Sequence, residues 1–575
     1  MKSLLKYLKD YKKESILAPI FKMLEASFEL IVPLVMAAII DKGIGGFDKG
    51  YILKMGGILV LLGIVGLAAS ITAQFFAAKA ATGFAKGLRH ALFEKIQSFT
   101  FSQMDLFGTD TLITRMTSDV NELQSGVNMV LRLFMRSPFV VFGAMIMAFT
   151  VDFKAALVFV VAIPLLAVVV FGIMLITMPM YKKVQSNLDK IMTSTRENLT
   201  GVRVIRAFNK ENEEKEKFHN TNSILCMSQQ KAGAISGLMN PITYIMVNIA
   251  TVVLIYIGAL HVNIGTLSQG EVIALINYMS QILVELIKLA NLIIQVTRAA
   301  ACGDRIANVM SYEANMADGN KMIDASASDI AVEFKDVTLC YDKGARPSLE
   351  NISFSVRKGQ SVGIIGGTGS GKSSLVNLIP RFYDITGGSI EIFGQNIQDY
   401  NIKSLRDHIG IVLQKAELFH GSIAENLKWG KDDATAKDMD EALEISQAKE
   451  YVDKKPGRLD FEIEQNGRNL SGGQKQRLTI ARALIKKPDI LIMDDSASAL
   501  DFATDAKLRL SIANMEKKMT TFIVSQRAAS VQYADIILVL DDGKLVGKGT
   551  HEALLRDNAV YQEIYYSQFP KENEA

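Results

Sequence analysis

Six apolar runs, each close to the length that crosses a bilayer, fill the first 300 residues of this 575-residue chain. They lie at about Ile16 to Ile40, Tyr51 to Ala78, Leu131 to Thr150, Ala155 to Met178, Pro241 to Val262 and Val272 to Ile294. A hydrocarbon layer needs about 20 such residues per crossing, and only a structure that satisfies its own backbone can make that crossing. The chain is too long for one core. The sequence therefore predicts an all-α six-helix membrane domain over residues 1–300, a linker over 301–329 and a separate α/β domain over 330–575.

The connections between the runs alternate. Those at Asp41 to Gly50, Val151 to Lys154 and Asn263 to Gly270 are short, whereas Lys79 to Met129 and Tyr181 to Ala232 are long and charged. Lys and Arg favour the long loops and the N-terminus, which places both on the cytoplasmic side. Both long loops lack Pro and carry apolar residues at helical spacing, as in Leu92, Ile96 and Phe99, so the spans are expected to project well beyond the membrane as helices. Phe107 to Met116 and Glu197 to Phe208 form the expected tips, and exposed Phe107 and Phe208 favour docking onto another domain over plain solvated hairpins.

The first run contains Lys22, Glu25 and Glu29 and no small-residue cleavage site, so it reads as a retained span with no processing domain before it. A net charge of +3, with bases and acids interleaved, gives no reason to expect a nucleic-acid partner. Cys226, Cys302 and Cys340 match no zinc or redox spacing and read as free thiols facing a reducing cytosol.

In the second half, the apolar strand Val362 to Ile365 runs into Gly366, Gly367, Thr368, Gly369, Ser370, Gly371, Lys372 and Ser373, and a helical pattern starts at Ser374. This is a complete phosphate loop in its strand and helix context: backbone amides for the phosphates, Lys372 for the β and γ oxygens and the Ser373 hydroxyl for Mg²⁺. A second apolar strand, Ile490 to Met493, ends in Asp494, the acid expected near that Mg²⁺, and Asp495. Leu470, Ser471, Gly472, Gly473 and Gln474 open a further helix, where glycine amides at a positive helix end can receive a phosphate.

Phosphate loop, Leu-Ser-Gly-Gly-Gln signature and acidic strand in this order identify a resemblance, from about Ser15 to the end, to ABC exporters with the membrane domain before the ATPase domain. The resemblance implies a multi-pass protein of a bacterial inner or plasma membrane, with a cytoplasmic P-loop ATPase domain of ABC type. It also implies that two such chains sandwich two ATP molecules with Mg²⁺, each between the phosphate loop of one and the signature of the other. By position, Tyr341 would stack on adenine and Gln414 would contact Mg²⁺ and link the γ-phosphate to the membrane loops, although a strand-core tyrosine and a surface glutamine are the plainer alternatives. Ser498, Ala499, Leu500 and Asp501 would cross the dimer interface, and Phe461 to Arg468 matches the loop-contacting segment only loosely, with Gln465 where Glu is usual.

Two positions depart from the family pattern. Asp495 stands where a Glu normally polarises the attacking water, and Gln526, at the end of the strand Phe522 to Arg527, stands where a His normally reaches the γ-phosphate. Asp retracts the carboxylate by about one carbon, and a misplacement of about 1 Å can cost on the order of a hundredfold. Gln526 can donate a hydrogen bond but cannot become a cation. The pattern resembles the degenerate-site half of a bacterial heterodimeric exporter, needing a second half-transporter that keeps the catalytic Glu and switch His. A slow homodimeric transporter and a nucleotide-sensing regulatory subunit are the competing readings, and import is left open. The cargo expected of an exporter is an amphipathic drug, lipid or peptide, with the membrane lipid as surrounding partner. Asn277, Gln281, Glu285 and Lys288 share one face of the last span and suit either a cavity or helix–helix ion pairs.

Overall fold

The structure, a computed structural model, describes residues 2–313, 316–341, 346–496 and 499–569. It divides into two compact units, one made of Met1–Gln97 and Thr109–Tyr312, the other of Ser98–Gly108 and Glu313–Ala575.

Among the described residues of the first unit, six helical stretches are long and apolar enough to cross a membrane: Ser3–Ile44, Lys49–Gln97, Thr109–Val151, Phe153–Thr200, Glu211–Ile264 and Gln269–Ser311. As expected, the long connections are helical. Lys49–Gln97 and Phe153–Thr200 are single helices of 49 and 48 residues. At about 1.5 Å per residue each reaches roughly 70 Å, more than twice a hydrocarbon layer of about 30 Å. The last helix continues to Ser311, into the 301–329 stretch expected as linker.

The third crossing is not one continuous helix. It stops at Leu133 and restarts at Arg136. Arg136, only 5% exposed, reaches Glu29 of the first crossing and Glu285 of the last, both at 2.5 Å. Glu285 also accepts from Ser137 Oγ at 2.9 Å and from Lys288 Nζ at 2.8 Å. Lys22 pairs with Glu25 at 2.5 Å and donates to Ser70 at 3.1 Å. The polar faces of the first and last crossings are therefore matched to each other through Arg136, which sequence reading did not single out. The signal was present: an Arg inside an apolar run needs a partner within the membrane.

The short connection after the first crossing is tied to the start of the last. The Asp41 carboxylate accepts from Ser268 Oγ at 2.5 Å and from the Gly270 amide at 2.8 Å. Gly270 allows that approach, since a Cβ there would lie 2.3 Å from the Ala37 carbonyl oxygen.

The second unit carries two main sheets. Ile330–Leu339 pairs antiparallel with Leu349–Arg357 on one side and Gly387–Ile392 on the other. The larger sheet has six strands in the order Lys544–Gly549, Ile536–Asp541, Ser361–Gly366, Thr520–Val524, Ile490–Asp494 and Ile409–Val412. All but the first of these pairings are parallel. Ile364, Ile492, Phe522 and Leu538 are fully buried, as strands covered on both faces require. Val524 pairs with both Ile364 and Asp494, so three strands end at one level and open their loops on the same edge.

Residues 98–108 belong to this second unit. Thr100 and Gln103 form a capping box that starts the helix Phe101–Phe107. Phe101 stacks on Phe382 with centroids 4.2 Å apart, Tyr383 donates to Asp105 at 2.7 Å, and Gln103 donates to the Glu313 carbonyl at 2.7 Å. The first loop therefore docks through Phe101, upstream of the expected tip, while Phe107 stacks on Phe99 at 5.5 Å. Phe208 in the second loop is 70% exposed in this chain.

Candidate functional site

The phosphate loop is shaped by glycines that no other residue could replace at two points. A Cβ on Gly366 would meet the Leu540 carbonyl oxygen at 2.1 Å, and Gly371 holds φ +94° at the start of the helix Lys372–Leu378. Lys372 is buried, and its ammonium donates to the Gly366 and Gly367 carbonyls at 3.0 and 2.7 Å. Ser373 Oγ donates to Asp494 Oδ1 at 3.0 Å, joining the loop to the acidic strand.

A cavity of about 460 Å³ opens on this edge. Thr368, Gly369, Gly371, Lys372, Ser373, Ser374, Gln414, Asp494, Asp495 and Gln526 line it, which brings together most of the residues singled out in the sequence. Gly366, Gly367 and Ser370 are not among the lining residues, Gly366 and Ser370 being buried and Gly367 exposed, and Tyr341 donates its hydroxyl to the lining Ser374 Oγ at 2.9 Å. Arg346, Pro347, Ser348, Val524, Asp542 and Gly543 also line it and were not anticipated there, since nothing in their sequence spacing links them to the loop.

The electrostatics suit a polyphosphate with a divalent cation. Burial holds Lys372 below the usual lysine range, with Asp495 and Asp494 pulling the other way. Burial raises Asp494 above the ordinary carboxylate value, partly offset by the Ser373 hydrogen bond, and raises Asp495 against the pull of Lys372, Arg527 and a hydrogen bond from Gln414. A hydroxyl and a carboxylate in contact match the hard oxygen donors that Mg²⁺ takes.

Asp495 follows directly on the strand, in a left-handed backbone with φ 44°, its amide bonded to the Val524 carbonyl at 3.0 Å. Gln526 is exposed on the next loop. That loop is pinned from the C-terminal helix Ala559–Gln568, a device the sequence did not disclose: Gln568 donates to the Gln526 carbonyl at 2.8 Å and accepts from the Ala528 amide at 2.9 Å.

The signature lies elsewhere. Ser471 caps the helix Gly472–Leu484 in a capping box with Gln474, and Ser471 and Gly472 are exposed. None of Ser471, Gly472, Gly473 and Gln474 lines the cavity. Ala499 lies against the signature helix, its carbonyl 3.1 Å from where a Gly473 Cβ would be, and Asp501 caps the helix Phe502–Ala513. Ser498 lies outside the described residues. Gln465 and its neighbour Asn466 are exposed.

Residues 15–286 match the ABC transporter transmembrane region and residues 349–498 the ABC transporter family. Over 572 residues the chain is 36% identical to the uncharacterised ABC transporter ATP-binding protein YfiB of Bacillus subtilis (strain 168), covering 100% of this chain and 99% of that protein. The chain belongs to the ABC transporter family. This ABC transporter chain is also 27% identical to the ATP-dependent lipid A-core flippase of Photorhabdus laumondii over 96% of its own length and 95% of the relative's. Its fold matches a bacterial Atm1-family ABC exporter with ATP bound, at a TM-score of 0.80 and 22% identity, covering 98% of this chain and 99% of that one. It is a multi-pass membrane protein with a cytoplasmic ABC-type ATPase domain.

Proposed function

We propose that this chain is one half of an ATP-driven exporter, that its own ATP site is degenerate, and that its signature helix completes the competent site of a different half-transporter. The observation that carries this reading is the placement of Asp495 and Gln526 on the same cavity as an intact phosphate loop, while the intact signature stays outside that cavity. A phosphate loop with this geometry needs a signature from a second chain, and a partner with Glu and His at the altered positions would give the pair one strong site and one weak one.

In this reading the loop amides and Lys372 hold the β and γ phosphates, Tyr341 stacks on adenine, and Ser373, Gln414 and Asp494 hold Mg²⁺. Bound Mg²⁺ supplies positive charge against the phosphate oxygens. Asp495 keeps its negative charge but stands back from the position a Glu carboxylate would reach, and Gln526 offers a neutral hydrogen bond where a cation is usual. ATP is thus retained as a clamp more than it is consumed. Similarity to the lipid A-core flippase favours a lipid-like amphiphile as cargo among drugs, lipids and peptides.

The test is an asymmetry in a complex purified with a second half-transporter that carries Glu and His at the two altered positions. Ser471→Arg should abolish most ATP hydrolysis, because it blocks the partner's competent site. Lys372→Ala should spare most of it. Equal losses from both substitutions would contradict the unequal-site reading.

A further inference from the structure

The adenine side of the site touches something other than the phosphate loop. Tyr341 and Tyr383 meet edge to face, with centroids 4.9 Å apart and rings at 88°. Tyr341 donates its hydroxyl to Ser374 at 2.9 Å, and Tyr383 donates its own to Asp105 at 2.7 Å. Asp105 is on the short helix Phe101–Phe107, whose Phe101 stacks on Phe382 at 4.2 Å and lies 6.2 Å from the Tyr383 ring. Arg406 covers Phe382 at 5.2 Å. Three consecutive contacts therefore join the start of the phosphate-loop helix to the loop that leaves and re-enters the membrane unit.

Each link has a chemical reason to respond to the next. Burial and the Asp105 carboxylate keep the Tyr383 phenol protonated far above the ordinary tyrosine range, so it remains a donor. An edge-to-face pair depends on ring orientation, and a base stacking on Tyr341 changes the orientation the pair can hold. Tyr383 has one hydroxyl and one acceptor for it, so a shift of its ring alters the Asp105 contact directly. A contiguous series of packed and hydrogen-bonded side chains is the kind of network that carries energetic coupling between elements.

We infer that segment 98–108 reads adenine occupancy through the series Tyr341, Tyr383, Asp105, with Tyr383 as the positioning residue. The inference rests on the reading of Tyr341 as the adenine-stacking residue. It adds a route at the base end of the nucleotide, separate from Gln414 at the γ-phosphate end.

The experiment is hydrogen–deuterium exchange of peptides covering 98–108 in the full chain in lipid nanodiscs, with saturation checked by displacement of trinitrophenyl-ATP. Two probes separate the ends of the site: Mg-ADP carries adenine without a γ-phosphate, and Mg-tripolyphosphate carries the phosphates without a base. Mg-ADP should slow exchange of the segment by about 5-fold or more, the low end of ordinary coupling between sites, and tripolyphosphate should not. Tyr383→Phe and Asp105→Ala should lose the Mg-ADP response while still binding nucleotide. Asp105→Asn keeps an acceptor for the tyrosine hydroxyl and should retain it.

A purely structural role for Tyr383 predicts faster exchange in the free chain with the Mg-ADP response intact, and that result would overturn the inference. An equal response to tripolyphosphate would overturn it as well, by assigning the signal to the phosphate end. A chain that binds neither ADP nor ATP would remove the nucleotide reading itself, a failure visible in the displacement assay before any exchange is measured.

Discussion

Gln568 holds the loop of Gln526 on both sides of Arg527: its amide nitrogen donates to the Gln526 carbonyl at 2.8 Å, and its amide oxygen accepts from the Ala528 amide at 2.9 Å. The side chain that lines the phosphate-loop cavity is thus carried on a loop whose backbone is tied to a helix 42 residues further along the chain. Gln568→Ala should speed hydrogen exchange across residues 525–531 while costing at most about 1 kcal/mol of global stability, because Gln568 is exposed and water replaces its bonds. Unchanged exchange in that stretch would show that the loop holds itself.

Asp494 makes a second prediction, in pH. Burial raises its folded-state pKa above the ordinary carboxylate value, so the folded chain holds the proton more tightly than the unfolded one. Stability from this group is therefore greatest below the unfolded value, about pH 3.9, and is lost as pH rises from there through the raised folded value. Asp494→Asn removes that loss. The variant should unfold at a higher temperature than the parent at neutral pH without nucleotide, with the advantage shrinking toward acid, and should lose most of the stabilisation given by Mg-ATP. Thermal unfolding with and without Mg-ATP across pH checks both. An Asn variant that is less stable at neutral pH, or still stabilised by Mg-ATP as the parent is, would contradict the assignment.

The Arg136 cluster predicts strong non-additivity. Removing the guanidinium in Arg136→Met leaves Glu285, 3% exposed, without its main partner, and breaking a buried pair this way costs about 3–5 kcal/mol. Arg136→Met with Glu285→Leu should recover a large part of that loss, since the two new side chains are apolar and the partners left behind, Glu29 and Lys288, are 45% and 41% exposed. Unfolding in nanodiscs of the parent, both single variants and the double variant measures the coupling. Additive effects would mean the two residues act independently.

Much of this molecule was legible in sequence. The six crossings follow from apolar run length, and the helical loops from spacing without Pro; the phosphate loop and acidic strand converge because their parallel strands share a register at Val524. Other features were not legible. The helix interruption before Arg136 is announced locally by Pro138, which has no N–H for the Phe134 carbonyl, but the ion pairs that Arg136 makes with Glu285 and Glu29, more than a hundred positions away, are not. The docking role of Phe101 depends on Phe382 and Tyr383, and that of Gln568 on a loop in another part of the chain. Local pattern cannot disclose such partners, because only the fold makes them neighbours.

The central claim, that Asp495 and Gln526 leave a site that holds ATP and hydrolyses it poorly, is tested most directly by the ATPase rate of the purified chain alone, compared with Asp495→Glu plus Gln526→His. The account predicts a very low rate for the parent despite saturable ATP binding, and an increase on the order of a hundredfold for the double variant, the cost expected of a misplaced carboxylate. Vigorous hydrolysis by the unmodified chain, unchanged by the double substitution, would contradict it.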